Sequence, residues 1–219
     1  MKIFLDTAHV DTIKQWSTTG LIDGVTTNPT HLSKEGGDPK KIIREICELL
    51  PQGDISVQVT EKSPEAVYQQ AKVIAKLAPN IVVKVPCSQE FYPVIKKLVE
   101  EGVKINITLL FSLVQGLFMG KLGVLYISPF IGRLEDTDAD GIALITDLRQ
   151  MIDQYGFKTQ ILAASIRSER HLHDVILAGA DAATLPVAVL EKASVHPLTD
   201  QGRKLFDADW AKLGIRQFP

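Results

Sequence analysis

The sequence predicts an α/β protein: a single (β/α)8 barrel of the TIM type over residues 1–219, with an additional C-terminal helix at about 200–213. Three observations carry this. Short apolar, β-branched runs alternate along the chain with segments of helical periodicity, a pattern that demands a parallel sheet with helical crossovers. The units number eight, on the order of the ~200 residues a compact barrel needs. A doubly wound open sheet, the competing arrangement, would bring a glycine-rich phosphate loop after its first strand, and none follows Asp6.

Each element has its own signal. Lys2–Asp6 is an apolar strand ending in a carboxylate, and 10–19 has helical spacing (Val10, Ile13, Trp16) closed by Gly20. Residues 24–27 form the second strand, with Asn28-Pro29 read as a turn. Asp38 and Pro39 make an N-cap and first-turn pair for a helix to Leu50. Residues 55–59 are the third strand, containing Gln58. A helix opens at Ser63-Pro64, with Val67, Ala71, Ile74 and Leu77 on its apolar side. The fourth strand, 81–85, is apolar except for Lys84 and stops at Pro86. The helix after it runs 88–101. The same rhythm continues as strands at 104–109, 124–130, 160–165 and 182–185, with helices at 112–121, 140–155, 168–178, 187–193 and 200–213.

Composition bounds the function. A hydrophobic fraction of 45%, a charged fraction of 23% and a net charge of −2 belong to an ordinary soluble globular protein. Without a basic excess, neither nucleic acid nor an anionic membrane is expected as the main partner. Cys47 and Cys87 form neither a disulfide framework nor a metal-type spacing and suit a reducing compartment. The apolar run at Met1–Asp6 is too short for a signal peptide, and no segment is long enough to span a bilayer, so a cytoplasmic location is expected.

Lys84 is the unusual residue. Burying an unpaired ammonium costs several kcal/mol. From its strand alone, Lys84 either snorkels to solvent or sits in a polar cavity with a depressed pKa, where its amine is a nucleophile toward carbonyls. The other strands favour the cavity, because chemistry in such barrels sits at the C-terminal strand ends. There the chain brings Asp6, then Thr26 and Asn28, then Gln58, then Asn106 and Thr108, then Ser128 with Phe130 and Arg133 beyond, then Ser165 and Arg167. Lys84 would attack a ketone to give an iminium, an electron sink that permits C–C cleavage without a metal. Asp6 is the candidate acid/base, Gln58 and Thr108 would hold a water, and Arg133 and Arg167 with Ser165 would clamp a phosphate. No cofactor and no metal are required. Asp136-Thr-Asp138-Ala-Asp140-Gly141 matches half of an EF-hand loop, but no helix is read before it and Asp147 stands where glutamate is needed, so these aspartates are expected to be a solvated loop and helix N-terminal charges. His171 and His173, two apart on a helix, are expected at the surface.

The segments Phe4-Leu-Asp6-Thr7, Gly24-Val-Thr-Thr-Asn-Pro29, Val82-Val-Lys-Val-Pro86, Asn106-Ile-Thr108, Ser128-Pro-Phe-Ile-Gly-Arg133 and Ala163-Ala-Ser165-Ile-Arg167 resemble the small transaldolases, from residue 1 to about residue 210. The resemblance implies a class I aldolase barrel with a Schiff base on Lys84. It also implies transfer of a dihydroxyacetone unit from sedoheptulose 7-phosphate to glyceraldehyde 3-phosphate in the pentose phosphate pathway. It assigns the acid/base to Asp6 and the phosphate arginines to Arg133 and Arg167, and implies homo-oligomers, pentamers or decamers, with the C-terminal helix packing on a neighbour. Fructose 6-phosphate aldolases, which release free dihydroxyacetone, are similar. Phe130 and Asn106 match the transaldolases, and Gln58 matches the aldolases. A glutamine positions water but takes no proton, so a slow transaldolase is expected. A non-catalytic barrel that binds sugar phosphates is the alternative from another class.

Overall fold

Strand and helix alternate as the apolar pattern requires, and the computed structural model, which describes residues 1–214, closes the strands into a parallel barrel in sequence order. The strands are β1 (Lys2–Asp6), β2 (Gly24–Thr26), β3 (Asp54–Gln58), β4 (Ile81–Pro86), β5 (Ile105–Leu110), β6 (Tyr126–Pro129), β7 (Gln160–Ala163) and β8 (Ala182–Leu185). Closure is made by β1 pairing with β8, Phe4 opposite Thr184. The helices are α1 (Val10–Ser17), α2 (Pro29–Glu35), α3 (Pro39–Leu49), α4 (Pro64–Ala75), α5 (Tyr92–Glu100), α6 (Leu113–Leu122), α7 (Ile131–Glu135), α8 (Gly141–Tyr155), α9 (Glu169–Leu177), α10 (Val187–Ala193) and α11 (Pro197–Lys212).

The two-residue period of the strands produces two separate cores. Outward residues such as Val83, Val85, Ile105 and Ile107 join the helices in a continuous sleeve. Inward, Phe4, Val82, Tyr126, Leu162 and Ala182 form a second cluster that plugs the barrel. The Phe4 ring meets Tyr126 edge-on at 5.8 Å and occupies the place of a side chain at position 24: a Cβ on Gly24 would lie 2.4 Å from Phe4 Cε1. Below the plug, Lys2 Nζ donates to the Tyr126 hydroxyl (2.8 Å), which donates to Asp54 Oδ2 (2.9 Å). The opposite end, above the plug, is where inward positions turn polar.

Two short helices depart from the sequence reading. Asn28-Pro29 is a helix start rather than a turn: Asn28 Oδ1 accepts from the His31 backbone N–H at 2.9 Å, and Pro29 takes the first position of α2. α7 follows β6 directly, so a helix does precede the 136–141 loop. Neither segment is long enough to display a 3.6-residue period. α11 has no buried residue and exposes Leu198, Leu205 and Phe206. No helix among the described residues is long and apolar enough to cross a membrane.

Candidate active site

β4 explains how one strand can be apolar throughout and still carry a lysine. Ile81, Val83 and Val85 face the helices, Val82 joins the plug, and Lys84 occupies the inward position above it, 5% exposed. Its register neighbours are Gln58 on β3 and Asn106 on β5. Lys84 Nζ makes no hydrogen bond or ion pair among the described residues. Burial lowers its pKa to about 8, with the Asp6 carboxylate pulling the other way. At pH 7 roughly a tenth of the molecules then hold the free amine, far more than for a lysine in water.

Lys84 opens into a cavity of about 140 Å³. Ten of the twelve sequence-selected residues line it: Asp6, Thr26, Asn28, Lys84, Asn106 and Thr108 on one side, and Ser128, Phe130, Arg133 and Ser165 on the other. Thr184 and Ala164 complete the lining and were not foreseen. Thr184 was legible, because it is the polar inward residue near the end of β8, where the other strands also place theirs.

Hydrogen bonds fix the polar floor in two chains. Thr26 Oγ1 donates to Asp6 Oδ1 at 2.9 Å; its single proton is thereby committed, so the Thr184 hydroxyl donates to Thr26 at 2.6 Å. Ser128 Oγ donates to Asn106 Oδ1 (2.7 Å), and Asn106 Nδ2 donates to Ser56 Oγ (3.1 Å). Burial raises the Asp6 pKa, but a hydrogen bond and charge from His31, the Lys84 ammonium and the Thr26 hydroxyl together outweigh it, and the carboxyl ends below its usual range. Asp6 is therefore an ionised base at neutral pH.

Gln58 and Arg167 are not part of this lining. Gln58 ends β3 level with Lys84 but borders a separate cavity of about 500 Å³, with Leu32, Ile43, Val73 and Leu77 around it. Arg167 makes a bidentate pair with Asp136 at 2.5 and 2.6 Å. Asp136 thus stays in a solvent-exposed loop, as expected, but is paired with an arginine, and Asp140 caps α8 by accepting from the Ala143 N–H, also as expected. His171 likewise has a partner, Glu135 Oε2 at 3.0 Å, and its Nδ1 accepts from the Arg167 backbone N–H. Arg133 reaches the cavity with its guanidinium 5.1 Å from the Phe130 ring centre and forms no ion pair among the described residues.

The backbone is specialised here as well. Ser165 has φ +60°, a left-handed conformation that a non-glycine residue adopts at a cost. A Cβ at Gly132 would lie 2.5 Å from the Ser165 carbonyl and 2.7 Å from Arg167 Nε, so only glycine lets α7 pack against that turn. Among the described residues, no group of three or more His, Cys, Asp or Glu side chains is arranged to hold a metal ion.

Comparison with known proteins places these features in context. A family model described as "Transaldolase/Fructose-6-phosphate aldolase" matches residues 3–217. A protein of Lactiplantibacillus plantarum named "Probable transaldolase" is 50% identical over 217 residues, covering 99% of this chain and 100% of the relative. One of Dehalococcoides mccartyi with the same name is 47% identical over 214 residues (97% and 99%). "Probable transaldolase 2" of Listeria monocytogenes is 46% identical over 217 residues (99% and 99%). A solved structure of a flavocytochrome b2 variant with sulfite bound superposes with a TM-score of 0.61 at 12% identity, covering 84% of this chain. The chain spans 56% of that protein's length, and the likeness concerns the barrel alone.

Proposed function

The chain belongs to the transaldolase/fructose-6-phosphate aldolase family, and on that premise we propose that it is a transaldolase of the pentose phosphate pathway. It would carry a dihydroxyacetone unit from sedoheptulose 7-phosphate to glyceraldehyde 3-phosphate. The observation that carries this reading is the buried Lys84, lowered to about 8, in one cavity with an ionised Asp6.

In this mechanism the free amine of Lys84 adds to the ketose C2 carbonyl, and loss of water gives the iminium. Asp6 takes the C4 hydroxyl proton as the C3–C4 bond breaks, releasing erythrose 4-phosphate and leaving an enamine on Lys84. The enamine adds to the acceptor aldehyde, Asp6 returns the proton to the new C4 oxygen, and hydrolysis frees fructose 6-phosphate. Thr108, on the cavity wall, is the group assigned to the water lost in forming the iminium and to the water that hydrolyses it, and Asn106, Ser128 and Asn28 bind the sugar hydroxyls.

The second reading, fructose 6-phosphate aldolase, rests on Gln58, which lies outside the Lys84 cavity lining. Phe130 offers no hydroxyl to the catalytic water, and the relatives' names also favour transfer. Mixing fructose 6-phosphate with erythrose 4-phosphate should give sedoheptulose 7-phosphate and glyceraldehyde 3-phosphate. Predominant release of free dihydroxyacetone would overturn the transaldolase assignment, and no turnover of either kind would favour a sugar-phosphate-binding barrel.

The phosphate is assigned to Arg133, Ser165 and Arg167, with Arg133 as the principal cation because Arg167 must first leave Asp136. Arg133→Ala is expected to raise KM for phosphorylated substrates by roughly 10- to 100-fold, the loss of a charge-assisted contact of ~1.5–3 kcal/mol. KM for free dihydroxyacetone should change little. Equal changes in both would remove the phosphate clamp. Arg167→Ala should act in the same direction but less strongly.

A homo-oligomer is proposed as well. Along α11 and its C-cap, Leu198, Leu205, Phe206 and Leu213 are all more than half exposed and fall on one stripe, an apolar face that a single chain leaves in water. A solution mass equal to one chain at micromolar concentration would contradict the pentamer or decamer.

A further inference from the structure

His31 stands directly against the acid/base group and has no part in the mechanism above. It is the third residue of α2, its backbone N–H held by Asn28 Oδ1 at 2.9 Å, so the helix cap sets its position. Its Nε2 lies 3.3 Å from Asp6 Oδ1. A carboxylate offers only acceptors, so Nε2 carries the hydrogen in this contact. The same oxygen already receives the Thr26 hydroxyl at 2.9 Å, while Oδ2 receives no hydrogen bond among the described residues.

We propose that His31 is a positioning residue for the reaction assigned above. With Thr26 it occupies Asp6 Oδ1, which fixes the carboxylate plane and leaves Oδ2 as the atom that exchanges a proton with the C4 oxygen of the ketose. The inference rests on the Schiff-base reading, since it gives His31 a role only through Asp6. The charged groups around it are Asp6 on β1, Lys84 on β4 acting through Asp6, and Lys34 and Glu35 on its own helix. Among the described residues His31 pairs with Asp6 and with no other charged side chain.

The arrangement has a chemical logic. A carboxylate free to rotate presents either oxygen to the substrate, and a misplacement of about 1 Å in a catalytic group costs on the order of 100-fold. Two donors on one oxygen remove that freedom. The His31 contact also keeps Asp6 ionised, so the base is ready when the iminium forms.

Two variants test this, His31→Leu, which removes the contact, and His31→Gln, which keeps an N–H donor but does not titrate. Both are compared with wild type for thermal unfolding, kcat, KM, the pH profile of kcat/KM and the yield of borohydride-trapped Schiff base. In His31→Leu, kcat should fall on the order of tenfold with KM within about twofold. Trapping should be undiminished, and the acid limb of the profile should move to higher pH. His31→Gln should recover most of kcat at pH 8 while the acid limb stays displaced. A folded His31→Leu protein with wild-type kcat and pH profile overturns the inference, as does an equal loss of kcat and trapping in both variants, which would mark a purely structural role in α2. If wild type itself gives no borohydride adduct, the Schiff-base reading fails and the His31 role with it. Adduct formation in wild type with an indifferent His31→Leu isolates the failure to His31.

Discussion

Lys84→Met should give no borohydride-trapped adduct and lose at least about 10⁴-fold in turnover, because the nucleophile and every later intermediate disappear together. The same substitution should make the protein more stable. The folded state lowers Lys84 from its ordinary 10.5 to about 8, a destabilisation of about 3 kcal/mol while the side chain must stay charged. Because the folded value lies below the unfolded one, the penalty is complete below pH 8, shrinks between 8 and 10.5, and is absent above. Met fills similar volume without a charge, although Asp6 loses a favourable neighbour. The expected gain at pH 7 is therefore on the order of 2–3 kcal/mol, fading as pH rises toward 10.5. Denaturant unfolding at pH 7 and pH 10 measures both parts. A variant less stable than wild type at pH 7 would show that Lys84 is not held at a cost, and retained turnover would remove it as nucleophile.

Asp6→Asn should separate binding from cleavage. The amide keeps the size of the side chain and can still accept from Thr26, but it takes no proton. Loss of the base should lower kcat by about 10²- to 10⁴-fold. Schiff-base formation at Lys84 precedes the step that needs Asp6, so the donor ketose should still be trapped by borohydride, at a yield equal to or above that of wild type. Quantifying the adduct by intact mass beside the kcat measurement decides the matter. Loss of trapping in parallel with kcat would assign Asp6 to carbinolamine chemistry instead of C–C cleavage.

The barrel was legible because each strand states its orientation twice. Ile81, Val83 and Val85 demand a helix-covered face, and Lys84 between them demands the other face to be polar at that level; only a closed sheet provides both. Six of the ten cavity residues, Asp6, Thr26, Lys84, Asn106, Thr108 and Ser128, were legible for the same reason, since inward strand positions are fixed by a period of two; Asn28, Phe130, Arg133 and Ser165 lie just beyond the strand ends. What escaped follows from the limits of periodicity. Pro29–Glu35 has less than two turns, so its helix showed no period of its own, and His31 was lost with the helix that carries it. The Arg167–Asp136 pair joins residues 31 apart on two loops, and no local pattern announces such a meeting. Gln58 shows the converse limit: its register with Lys84 was readable, but not that it would be missing from the residues lining the Lys84 cavity.

The plug of Phe4, Val82, Tyr126, Leu162 and Ala182 has a consequence for traffic. It closes the barrel beneath the Lys84 chamber, whose wall carries Arg133 and Ser165. In the proposed transaldolase reaction the departing and the arriving aldehyde would occupy that chamber in turn, each bringing a phosphate to the same arginine. Sharing of this kind predicts double-displacement kinetics, with the first product competing against the second substrate.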